Sequence, residues 1–176
     1  MKTIESIKDN GLGKESVMTI DLFNKLTNQE TLHPLVTIAN MGNNTLNGNV
    51  NMPCDFYALL LSKVADDEKD ALRLVCPGEM FKMPSVDYDK GMSCKGVLFH
   101  PDLLCETPLD DIVDSYARQC YCRRALSRHD KEIIVTCIDE IGKELHHSID
   151  CHSATIIASQ IELLLNYCTR FCSIRK

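Results

Sequence analysis

The stretch that most limits what this chain can fold into lies near its end, in "SATIIASQIELLLNYCTRFCS". Ile157, Ile161, Leu164, Cys168 and Phe171 recur at spacings of four, three, four and three, the seam of a coiled-coil-like helix contact. Ile156, Leu163, Leu165 and Tyr167 widen the apolar surface beyond that seam. A helix apolar on most sides has to be covered on most sides. Three covers are open to it: a preceding antiparallel helix, a sheet, or a second copy of the chain. The helix is expected to begin near Ser153.

A partner helix precedes it. It is expected to start near Ser127, with Ile133, Ile134, Cys137, Ile138, Ile141 and Leu145 on an apolar stripe. "HHSIDCHS" breaks the two apart. Further upstream, "TPLDDIVDSY" carries a helix-start pattern. Thr107 stands at the N-cap, Pro108 at the first helical position and Asp110 three residues after the cap.

The chain before residue 101 has a different character. Short apolar runs alternate with turn signals, which suggests an antiparallel sandwich or barrel. The runs are Leu35 to Ala39, Phe56 to Leu61, "LRLVC", "FKM" and "KGVLF". The second is apolar throughout and so is expected to be buried on both faces. "PGEM" predicts a type II turn, with Pro77 fixing φ and Gly78 supplying positive φ. "NMGNNTLNGNVNMP" is rich in Asn and Gly and is predicted to be a loop. The fold class is therefore α+β with segregated elements. Residues 1–29 form a flexible arm, 30–105 a β half and 106–176 a helical half, together one structural domain.

Composition narrows the function classes. The formal net charge of the 176 residues is −6. That weighs against this chain gripping a phosphate backbone by itself, because such affinity comes from Lys and Arg. No apolar run is long enough for a signal peptide or a membrane span, so a cytoplasmic protein is the expectation. The 10 cysteines include no CxxC pair. Without a secretory signal, reduced structural thiols are expected rather than a disulfide framework.

Sites of chemistry are sparse. His147 and Cys151 are four apart, but Ser148, Ile149 and Asp150 read as a turn between helices, so the pair is not expected on one continuous helix. Cys120 and Cys122 lie near Arg118, Arg123 and Arg124, a setting that lowers a thiol pKa. The bland reading is an exposed polar connection. "NGLGKES" lacks the full phosphate-loop spacing and follows no strand. Pro101 forces His100 into an extended conformation, which makes it a strand end or cap rather than a ligand. No catalytic residue, metal site or cofactor is expected.

Six pieces taken in order carry a resemblance: "ETLHPLVTIAN", "FYALLL", "PGEMF", "KGVLFHPDLL", "IGKELHHSID" and "IASQIELLLNYCTRFC". The set resembles the N-terminal half of AraC-type transcription regulators, particularly those of Bacteroidetes, over about residues 30 to 173. The resemblance implies a cupin-like β-barrel that senses a small molecule, followed by a helical hairpin that mediates dimerisation. Barrel-strand residues Tyr57, Leu59, Leu74, Phe81 and Leu98 would line the effector pocket. Ile157, Ile161, Leu164, Cys168 and Phe171 would form the homodimer face. DNA would be reached only through a helix-turn-helix half that is not in this chain. "SKVADDEKDALRLVC" is shorter than the corresponding stretch of the family. Two alternatives are a stand-alone interaction protein that heterodimerises with full-length regulators, and a cupin-type metal enzyme.

Overall fold

A computed structural model describes residues 17–41, 50–63, 70–82, 93–117, 121–124 and 126–173. Along the chain run α1 (Ile20–Leu26), β1 (Val36–Asn40), β2 (Asn51–Pro53), β3 (Tyr57–Lys63), β4 (Asp70–Val75), β5 (Met80–Lys82) and β6 (Cys94–Phe99). After them come α2 (Val113–Ala117), β7 (Tyr121–Arg124), α3 (Arg128–Glu144) and α4 (Ser153–Ser173). Five strands form one antiparallel sheet in the order β1-β6-β3-β4-β7, and β2 pairs with β5 in a small second sheet.

The large sheet is covered on both faces. Strand residues alternate between faces, so β3 divides its apolar run between two cores. Tyr57 and Leu59 join Val97, Phe99, Leu72 and Leu74 beneath α3 and α4. Ala58 and Leu60 join Leu98, Phe81 and Phe23 on the opposite face, with α1 and the small sheet. The double burial expected of Phe56 to Leu61 is present. β6 lies between β1 and β3, and Gly96 is where the backbones crowd. A Cβ placed there would sit 2.1 Å from the Leu59 carbonyl oxygen.

Both long helices begin for local reasons. The Ser127 hydroxyl accepts from the Asp130 amide at 3.1 Å, and Asp130 Oδ2 accepts from the Ser127 amide at 3.2 Å, a complete capping box. Before α4, Asp150 Oδ1 accepts from the amides of His152 at 2.8 Å and Ser153 at 3.1 Å. These hydrogen bonds hold the Asp150 carboxyl below its usual range, with the His152 amide the largest cause. The type II turn is also as expected. The Glu79 amide bonds the Cys76 carbonyl at 3.0 Å, and Gly78 has φ +82°.

The structure corrects four expectations. First, no barrel closes among the described residues. β1 and β7 are the ends of an open sheet, because α3 and α4 take one face and only α1 and two three-residue strands stand on the other. The arrangement is mixed α and β, with antiparallel sheets and C-terminal helices. Second, the expected flexible arm of residues 1–29 contains α1. Its N-cap Thr19 accepts from the Leu22 amide at 3.1 Å, and Met18, Ile20 and Phe23 are buried. Residues 1–16, which include "NGLGKES", lie outside the described residues. Third, Thr107 does not cap a helix. Its hydroxyl turns back to the Leu104 carbonyl at 2.6 Å, Glu106 has φ +65°, and successive turns lead to α2 only at Val113. Fourth, "YCRR", read as a polar connection, adds β7 to the edge of β4. Its pairing is non-local and left no periodic trace in four residues.

Candidate functional site

Three places deserve comparison: the space between the two sheets, a polar cluster at one end of the large sheet, and the outer groove between α3 and α4. The five residues assigned to an effector pocket do not share one place. Tyr57, Leu59 and Leu74 point toward the helices, whereas Phe81 and Leu98 point between the sheets. All five are buried. The cause is register, since neighbouring positions on one strand face opposite sides. None of the five lines the cleft beside β1, the groove between α3 and α4 or the small cleft at Thr107.

The inter-sheet space is where an enclosed ligand would sit in this architecture. Phe23, Phe56 and Phe81 occupy it. Phe81 meets Phe56 edge-on, with centroids 5.3 Å apart, and Phe23 edge-on at 6.1 Å. Such pairs stabilise by about 0.5–1.5 kcal/mol beyond area burial. Cys54, Leu60, Val75 and Leu98 complete this core.

The polar cluster gathers where β3 begins and β4 and β6 end. The Tyr57 hydroxyl donates to Asp114 Oδ1 at 2.7 Å. Burial raises the Asp55 carboxyl pKa, with His100 opposing, and Asp55 Oδ1 is enclosed without a hydrogen-bond partner. Burial also pushes the Cys76 thiol up to about 11, helped by Glu79 and Asp114. A thiol in such a setting stays protonated and is a poor nucleophile.

His100 is a cap. Its φ of −77° and ψ of 146° are extended, and its Nδ1 accepts from the Asp102 amide at 3.2 Å, starting a single 3-10 turn over Pro101–Leu103. His33 does the same before Pro34, accepting from the Leu35 amide at 3.1 Å. The two turns meet where the His100 amide donates to the Leu35 carbonyl at 2.8 Å. Among the described residues, no group of three His, Cys, Asp or Glu side chains is placed to hold a metal ion. His147 and Cys151 stand exposed in the α3–α4 turn. Cys120 lies outside the described residues, as does the side chain of Cys122.

The seam assigned to a dimer face is buried within the single chain. Ile157, Ile161, Leu164 and Cys168 are at most 1% exposed within a single chain, and Phe171 packs half-buried beside them. The seam is the contact of α4 with α3 and the large sheet, so it has no surface left for another molecule. One residue away around the helix runs a second strip: Ile156, Gln160, Leu163 and Tyr167, again at four, three and four. Ile156 is 41% and Leu163 52% exposed. Gln160, Leu163 and Tyr167 form one wall of a groove of about 560 Å³, and Ile133 and Cys137 of α3 stand in the other. Tyr167 stacks on Phe171 at 5.8 Å, and the Arg170 guanidinium lies 5.8 Å from its ring centroid. The sequence held the signal for this strip, since Ile156, Leu163 and Tyr167 lie outside the seam.

No helix among the described residues is long and apolar enough to cross a membrane. Compared with protein-family models the chain matches none, and no protein of curated function matches it.

Proposed function

We propose that this chain is a regulatory module without catalytic activity: the effector-sensing and dimerisation half of an AraC-type transcription regulator. It works in the cytoplasm and reaches DNA only through a helix-turn-helix half supplied outside this chain. The ordered set of sequence pieces supports this reading. The observation that carries it is the α3–α4 hairpin, which buries its own seam and still presents Ile133, Cys137, Leu163 and Tyr167 around an outward groove. A hairpin that satisfies its own core needs no second apolar strip, and exposed apolar patches mark interaction sites. A second copy docking there makes a four-helix contact, and the resulting two-fold symmetry matches paired DNA half-sites.

The test is sedimentation equilibrium of the purified chain. The expected result is a dimer that Leu163→Glu converts to a monomer with an unchanged circular dichroism spectrum. A monomer at all concentrations removes the dimerisation half of the proposal. A thermal-shift screen of small metabolites addresses the sensing half, and a chain that no compound stabilises removes it.

One observation favours a second reading. Phe23, Phe56 and Phe81 fill the inter-sheet space, which suits an interaction protein that pairs with full-length regulators and binds no effector. Dimerisation with an empty ligand screen is its signature.

A further inference from the structure

The free edge of β1 lies in a cleft of about 660 Å³ whose walls come from opposite faces of the sheet. Glu30 and Leu32, which follow α1, stand on one side, and Asp139, Glu140 and Lys143 of α3 on the other. The Thr37 hydroxyl donates to Asn24 Oδ1 at 2.9 Å, which ties α1 to the Thr37 face of the strand. α3 packs on the Ile38 face, where a Cβ at Gly142 would stand in ordinary contact, 3.5 Å from Ile38 Cγ1. A cleft walled from both faces has the strand edge for its floor.

The ladder shows which backbone groups that edge offers. The His100 amide donates to the Leu35 carbonyl at 2.8 Å, and the Met41 amide to the Cys94 carbonyl at 2.9 Å. In an antiparallel pair the residues bonded to one neighbour alternate. Thr37, Ala39 and Met41, with the Leu35 carbonyl, therefore turn toward β6, and Val36, Ile38 and Asn40 turn their amides and carbonyls away. Val36 bridges to His33 in the preceding turn. Ile38 and Asn40 are left facing the cleft, and no strand among the described residues pairs with them.

We propose that this edge is a docking site for an extended, basic peptide segment of a partner protein, added as a sixth strand. Strand addition takes its affinity from main-chain hydrogen bonds. Charge selects the occupant. Glu30, Asp139 and Glu140 stand at the cleft with Lys143 and His146; Lys143 is bonded to Glu140 and Lys95 to Asp139, so the carboxylates exceed the lysines by one. The rim stays negative, which repels a second copy of a chain of net charge −6 and attracts Lys or Arg. The cleft adjoins the hairpin groove and shares Thr136 and Glu140 with it, but the β1 edge belongs to the cleft alone.

The experiment is amide hydrogen exchange by NMR on the full chain, with acetyl-Lys-Val-Thr-Val-Lys-amide as the probe and its Glu-for-Lys counterpart as control. Alone, the chain is expected to exchange Ile38 and Asn40 rapidly, and Thr37 and Ala39 slowly. The basic peptide protects Ile38 and Asn40, and binds at least about threefold more tightly than the acidic one, the scale of one or two exposed ion pairs. Asn40→Pro removes one outward donor while sparing the β6 ladder, a change tolerated on an edge. It weakens binding about threefold to tenfold, the range for one hydrogen bond. A probe N-methylated at alternate residues leaves the protein untouched and must also lose binding. Equal affinity for both peptides, undiminished binding of the methylated probe, or protection of Ile38 and Asn40 without peptide would each overturn the proposal. Protection that grows with protein concentration alone assigns the edge to a second copy and overturns it as well.

Discussion

The Tyr57 hydroxyl donates to Asp114 Oδ1 at 2.7 Å and so ties the first residue of β3 to α2, 57 positions away. The same ring stacks on Phe99 of β6, with centroids 5.3 Å apart. Tyr57→Phe keeps the stacking and loses the bond. A charged acceptor strengthens such a bond, but Asp114 is exposed, so the cost is about 1 kcal/mol, read by urea denaturation.

The same residue predicts a response to alkali. Burial, then the hydrogen bond to Asp114 and its charge, raise the phenol pKa above the ordinary tyrosine value. Below about pH 10 the phenol is protonated in both folded and unfolded chains, and stability is unaffected. Above it the unfolded chain loses the proton first. Stability then falls as pH rises toward the folded pKa. Tyr57→Phe should flatten the part of the alkaline decline that this group causes, measured as urea midpoint against pH in the two proteins.

Leu164→Ala separates core from interface. Leu164 is fully buried between α4, α3 and the sheet, so truncation should cost about 2–5 kcal/mol by cavity formation. At temperatures where it stays folded, its association state should equal that of the parent chain. An Ala variant that is stable but no longer associates would return the seam to the role of dimer face.

Gly96→Ala tests the crowded centre of the sheet. The added methyl meets backbone, the Leu59 carbonyl, which has no rotamer to move aside. Overpacking of this kind costs about 1–3 kcal/mol. Gly142→Ala is the control, since its Cβ would make ordinary contact with Ile38 at 3.5 Å. Thermal melts of the two should differ clearly, with Gly96→Ala the lower.

Thiol labelling should fall into two classes. Cys105 and Cys151 are exposed, whereas burial pushes the Cys94 thiol up to about 12. Timed alkylation with peptide mapping should modify the exposed pair first. Cys54, Cys94 and Cys168, all buried, should react only as the chain unfolds.

Much of this was readable from short-range pattern. β1, β3, β4, β5 and β6 lie within one or two residues of the predicted runs, and α3 and α4 start as expected. His100 is the cap that Pro101 implied, because a proline restricts its neighbour whatever the fold around it. α1 escaped notice because it spans only seven residues, Ile20–Leu26, too few for its apolar residues to show a helical period. Nothing nearby shows that α1 lies over the sheet.

The hairpin shows where such reading stops. Spacings of four and three along α4 identify a buried face, and that follows from helical geometry alone. They are silent about what buries it, because α3, a sheet and a second copy present the same apolar surface. Packing resolved this by placing α3 and the large sheet against Ile157, Ile161, Leu164 and Cys168, and leaving Ile156 and Leu163 outside. The strand residues divide for a similar reason. That neighbouring strand residues face opposite sides follows from strand geometry, but which set faced the helices depended on register, and register is a property of the assembled sheet.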